Sequence, residues 1–93
     1  MEKKGEGGIP LMNSKRETLQ SLLDRYRDTR GLGRLYIMGQ LRTYVQAHEY
    51  RHLLEEIEAV RDTQDVKVLI GVGMRGQLYT AVVAQQARLM GLM

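Results

Sequence analysis

Both histidines of the chain fall in one five-residue run, His48-Glu49-Tyr50-Arg51-His52. On a helix, H-E-x-x-H is the zinc-peptidase arrangement: two imidazoles ligate one ion and the glutamate takes a proton from the metal-bound water. Two features weigh against that chemistry here. Arg51 puts a cation beside a dication, and a third ligand would have to come from Glu55, Glu56 or Glu58, which follow too closely to form a separate ligand-bearing segment. The competing reading sets the histidines at the edge of a helix–helix interface, donating to carbonyls or carboxylates. The expectation is therefore no cofactor, with His48 and His52 as the metal-ligand alternative. Glu49-x-x-His52 also resembles half of a carboxylate-bridged di-metal site, whose other half only a symmetric dimer could supply.

Gly71-Val72-Gly73-Met74-Arg75-Gly76 spells G-x-G-x-x-G, the turn whose glycines let a backbone approach a pyrophosphate at a helix N-terminus. That fingerprint needs a second strand ending in an acidic residue about 20 positions on. The sequence stops at Met93. Glycines that ease turning and helix packing are the expected explanation. The densest basic segment is Arg25, Arg27, Arg30 and Arg34, interleaved with Tyr26 and Tyr36. On nucleic acid the arginines would meet phosphates and a tyrosine could stack on a base. Asp24 and Asp28 sit among them, so a salt-bridged, solvated face accounts for much of the charge.

Composition narrows the classes. There are no cysteines, which excludes disulfides, thiolate zinc sites and cysteine nucleophiles. The formal net charge is +3, and ten of the fourteen basic residues are arginines, an excess too mild to specify a polyanionic partner. No apolar run approaches the roughly 18 residues that span a bilayer. No apolar stretch follows Lys3 and Lys4 to make a secretory signal, so a cytoplasmic location without a membrane role is expected. Ninety-three residues suit one small domain with a thin core, which favours support from a partner or from a second copy.

The elements that must position these residues are mostly helical. Residues 1–13 carry three glycines and Pro10 and read as a flexible tail in which Met12 could serve as a start; residues 14–93 form the domain. Ser14-Lys15-Arg16-Glu17 fits a capping box. Leu19, Leu22, Leu23 and Tyr26 then make one apolar stripe, predicting a first helix over about 15–29. Gly31 and Gly33 break it, and Leu32, Leu35, Tyr36 and Met38 form a short apolar turn. From Gln40 to Arg61 no glycine or proline interrupts. The apolar face changes sides, with Leu41, Val45, His48 and His52 in one sector and Tyr50, Leu53, Leu54, Ile57 and Val60 opposite, so the segment is either sandwiched between layers or broken near 48–52. Residues 66–73, with β-branched side chains at 66, 68, 70 and 72, allow a buried strand that could pair only with 35–38. A last helix covers about 77–90.

Part of the chain repeats. Residues 39–51 (GQLRTYVQAHEYR) and 76–88 (GQLYTAVVAQQAR) share seven of thirteen positions at an offset of 37. Such spacing marks repeated helical hairpins. In the second copy Gly76 precedes Tyr79 by three positions, and this resembles the first helix of a tetratricopeptide repeat. The first copy keeps Gly39 but has Arg42 at the tyrosine position. The tryptophan position of that family holds Leu35 and Val72, and its packing alanine is replaced by Arg51 and Arg88. The resemblance covers about half the chain and implies a concave helical surface that holds a peptide or a partner helix.

These observations lead to an all-α fold of four to five helices built on a duplicated hairpin; the alternative is a small α/β unit with strands near 35–38 and 66–73. The expected function is a non-catalytic interaction module that binds a protein partner or self-associates through Leu41, Tyr44, Val45, Leu78, Tyr79 and Val82. A nucleic-acid-binding protein using the 25–34 arginines is the alternative, and a zinc-dependent hydrolase the third.

Overall fold

The computed structural model describes residues 17–92. Five helices follow in order: α1 (Leu19–Asp28), α2 (Gly33–Ala47), α3 (Tyr50–Ala59), α4 (Thr63–Val72) and α5 (Gly76–Leu89). Among the described residues there is no strand, so the fold is all-α and the α/β alternative is set aside. The expected tail over 1–13, and residues 14–16 of the expected capping box, lie outside the described residues.

The box that starts α1 sits at Thr18. Its hydroxyl accepts from the Ser21 backbone N–H at 3.0 Å, and the Ser21 hydroxyl accepts from the Thr18 N–H at 2.9 Å. Leu19, Leu22 and Leu23 are completely buried, as their spacing requires. At the other end, Arg34 Nε donates to the carbonyls of Tyr26 (3.2 Å) and Thr29 (2.7 Å). Its guanidinium lies over the Tyr26 ring, 4.6 Å from the centroid. A cation on the last free carbonyls of a helix satisfies both hydrogen bonding and the helix dipole. This closes the α1–α2 hairpin.

The long segment from Gln40 breaks at His48 and Glu49, both extended. His48 Nδ1 donates to the Tyr44 carbonyl at 2.9 Å, the acceptor that a continuing helix would offer to the His48 backbone N–H. The side chain thus competes with the backbone where the helix ends.

Residues 66–73, read from sequence as a possible strand, form most of α4. Asp62 caps it, accepting from the Gln64 N–H at 2.8 Å. Val66, Leu69 and Val72 are buried at a spacing of three, while Ile70 is exposed. Burial with helical period outweighs the β preference of branched side chains, because no strand lies alongside to take the ladder hydrogen bonds. Gly73 ends α4 in the left-handed region (φ 89°), where L side chains are disfavoured.

α1 packs along α2; α5 lies against both α3 and α4; and α1 also touches α3 and α4. Leu41, Leu53, Ile57, Leu69 and Val82 meet in one continuous core. The two sequence copies are not structurally equivalent. The first begins mid-way along α2 and crosses the break into α3, whereas the second fills α5 without interruption.

Candidate functional site

The residues expected to line one groove are distributed over four environments. Leu41 and Val82 are fully enclosed in the core. Val45 and Leu78 edge a depression of about 690 Å³ between α2 and the α4–α5 turn, together with Arg42, Gly71, Met74 and Arg75. Tyr79 is 46% exposed, and Tyr44 belongs to a different groove.

That second groove, of about 760 Å³, runs along α2 from Leu35 and Tyr36 past Gly39 and Thr43 to Tyr44 and Ala47. Glu17 and His48 close its far end. Beside it, on the outward side of α2, Leu32, Leu35 and Tyr36 are 83%, 70% and 70% exposed. At 100° per residue, Leu32, Tyr36, Gly39, Thr43 and Ala47 fall within one 80° sector, opposite the buried Ile37 and Leu41. α2 therefore carries apolar side chains on both faces, and only one is covered. Sequence reasoning treated Leu32–Met38 as a connecting turn and so missed this face; the signal was the continuation of the 32–36–39–43 spacing into the first copy.

The floor at the His48 end is a polar cluster. The Tyr44 hydroxyl donates to Glu56 Oε1 at 2.6 Å, and His52 Nε2 lies 3.2 Å from the same oxygen and 3.3 Å from the tyrosine oxygen. The other Glu56 oxygen accepts the Leu19 N–H at 2.9 Å, capping α1 from α3. Burial, then the hydrogen bond to the Glu56 carboxylate and its charge, push the Tyr44 hydroxyl pKa above its usual value. Glu56 was not singled out from sequence as a partner for Tyr44, although its position four residues after His52 is the ordinary spacing of a helical pair.

The H-E-x-x-H run does not lie on one helix. His48 terminates α2, Glu49 precedes α3, and His52 is in the first turn of α3. The rings stack, Tyr44 on His48 at 3.9 Å and His48 on His52 at 5.3 Å between centroids. His48 Nδ1–H is held by a carbonyl and His52 Nε2 by a carboxylate, so the pair is engaged in joining two helices. Among the described residues no group of three or more potential ligands is positioned to hold a metal ion. The G-x-G-x-x-G run spans the end of α4 and the start of α5, a helix–turn–helix connection in place of the strand–turn–helix that a dinucleotide requires.

Three of the four candidate arginines are engaged within the chain. Arg25 pairs with Glu17 at 2.9 Å and donates to Gln40. Arg27 reaches the buried Asp65 at 2.6 Å, a bond that raises the arginine's own pKa, and lies 3.5 Å from Asp24. Arg34 closes α1. Arg30 is exposed.

No known protein-family model matches the chain, and neither a curated protein nor a solved structure matches it. Among the described residues, no helix is long and apolar enough to cross a membrane.

Proposed function

We propose that the protein is a non-catalytic helical interaction module whose binding surface is the outward face of α2 and the groove beside it. The carrying observation is the run of Leu32, Leu35 and Tyr36, each at least 70% exposed, along the rim of a groove large enough to take the side chains of a second helix. Large apolar side chains gathered on one face, in contrast to single scattered ones, are what a docking surface presents. Glu17, Gln40, Tyr44 and the Nδ1 of His48 near the groove each have a partner within the chain, so these groups serve to orient helices. The 25–34 arginines, the basis of the nucleic-acid alternative, are mostly neutralised or committed to carbonyls.

The test compares two sets of changes in the full chain. Tyr36→Asp and Leu35→Asp lie on the surface and should leave the helical circular dichroism unchanged while abolishing association with protein, whether another chain or itself. Replacing Arg25, Arg30 and Arg34 by alanine should not abolish it. The reverse result, with steeply salt-dependent binding to an unrelated duplex lost in the arginine variant, would make the basic face the site.

A further inference from the structure

The outward face of α2 has features that suit it to a copy of itself. Gly39 lies within α2, points outward and would have nothing within 4 Å of an added Cβ. Its φ is not among the positive ones, so neither backbone conformation nor packing inside the chain calls for glycine there. A second helix passing close over that point would. Around Gly39 the face is graded in size: Leu32, Leu35 and Tyr36 toward the N-terminal end, Thr43 and Ala47 toward the other. Laid antiparallel on itself about a two-fold axis beside Gly39 and Gln40, the face sets Tyr36 opposite Thr43 and Leu32 opposite Ala47. Both of these pairs set a large side chain against a small one, and each contact occurs twice.

The charges agree with the same arrangement. α2 contains no carboxylate; Arg30 precedes its N-terminal end and Glu49 follows its C-terminal end, where Arg51 is also exposed and Glu17 is already paired with Arg25. Among the described residues neither Arg30 nor Glu49 has an ion-pair partner. Antiparallel pairing brings Arg30 of one copy toward Glu49 of the other; parallel pairing sets Arg30 beside Arg30 and Glu49 beside Glu49. Arg42, which could interrupt the face, is turned to α4 by its bond to the Val72 carbonyl at 3.3 Å.

We infer that the partner of the α2 face is a second copy of this chain, packed antiparallel with Gly39 at the crossing point. The inference rests on the interaction reading above and names its occupant. The full chain should show twice its 10.7 kDa mass by sedimentation equilibrium. Gly39→Leu should return it to the single-chain mass with unchanged helicity. Because the chain has no cysteine, single cysteines can map the crossing. In this register Gly39→Cys residues lie within about 2 Å of each other along the axis, and Ala47→Cys residues about 22 Å apart, at a rise of about 1.5 Å per residue. Oxidation should cross-link the first variant and not the second. Cross-linking of both would mean parallel packing and overturn the proposal, as would a Gly39→Leu chain that keeps the doubled mass. A single-chain mass for the unaltered protein at every concentration also overturns it. In that event the Thr43 and Ala47 amide signals of Leu11→Asp decide the occupant. A shift assigns the face to the N-terminal segment of the same chain; no shift leaves the interaction reading to stand or fall on the Tyr36→Asp comparison alone.

Discussion

Gly39 and Gly76 open two copies of one thirteen-residue pattern, yet the copies have different environments. In the second, Val82 is sealed in the core, Gln85 is buried with its amide donating to the Val60 carbonyl at 2.6 Å, and the helix runs unbroken to Leu89. In the first, the corresponding Val45 is only half-buried, and His48 stands where Gln85 does and ends the helix. It is Leu41 of the first copy that is sealed, while its counterpart Leu78 is half-exposed. Identical residues thus occupy opposite positions relative to the core. The flanking sequence accounts for this. α2 begins six residues before its glycine and extends Leu35 and Tyr36 outward, whereas α5 begins at its glycine and is covered by both α3 and α4.

The largest expected effect contrasts the two valines. Val82→Asp buries a carboxylate with no partner and should cost several kcal/mol, enough to unfold a domain of this size. Val45→Asp, at a half-exposed site, should leave the chain folded. Urea titration followed by circular dichroism checks both. Equal losses would mean that the two copies are buried alike and that the asymmetry described above is wrong.

A smaller effect belongs to the tyrosine of the first copy, whose counterpart in the second is Ala81. Tyr44→Phe removes a hydrogen bond to a carboxylate and should cost about 1.5–3 kcal/mol. Its pH dependence is specific. The folded pKa of Tyr44 is raised, so the neutral phenol is favoured on folding. The contribution is complete below the unfolded value near 10 and is lost as pH rises from there toward the folded value. The denaturation midpoint of the unaltered chain should therefore fall above pH about 10 more steeply than that of Tyr44→Phe. Parallel curves would show that the hydroxyl is not held by Glu56.

How far the sequence could be read follows from these same residues. The helices expected over about 15–29 and 77–90 were legible as elements because each has an apolar stripe that packs on its neighbours, although the first starts only at Leu19 behind the Thr18 cap. Residues 66–73 read as part of an all-α fold with a strand as the alternative, since alternating β-branched side chains suit a strand and only the presence of α5 makes a spacing of three the buried one. The break at His48 was one of two readings that the switch of apolar sides left open, and its mechanism, an imidazole competing for a carbonyl, is a matter of geometry that periodicity does not carry. Leu41 and Val82, expected to line a groove, are buried in the core, because periodicity identifies an apolar face without saying whether another helix covers it. α2 has two such faces, and the sequence alone did not distinguish the covered from the open one.

The smallest effect tests the two glycines directly, and the two should differ in sign. Gly76 has φ 60°, in the left-handed region, so Gly76→Ala forces an L residue into a conformation that costs about 1–2 kcal/mol. Gly39 has an ordinary helical backbone and open space above it, so Gly39→Ala should stabilise the single chain by up to about 1 kcal/mol through helix propensity. The measurement is urea denaturation at protein concentrations low enough that association contributes nothing. Raised concentration then separates the roles of Gly39. If the residue serves only the single chain, the stabilisation persists as concentration rises. If it lies where two helices cross, the added methyl groups oppose close approach, and the advantage shrinks or reverses as association sets in. A Gly39→Ala chain that is less stable than the unaltered one when dilute would mean that glycine is required within the chain itself, and the two copies would then be alike in the one feature on which their contrast most depends.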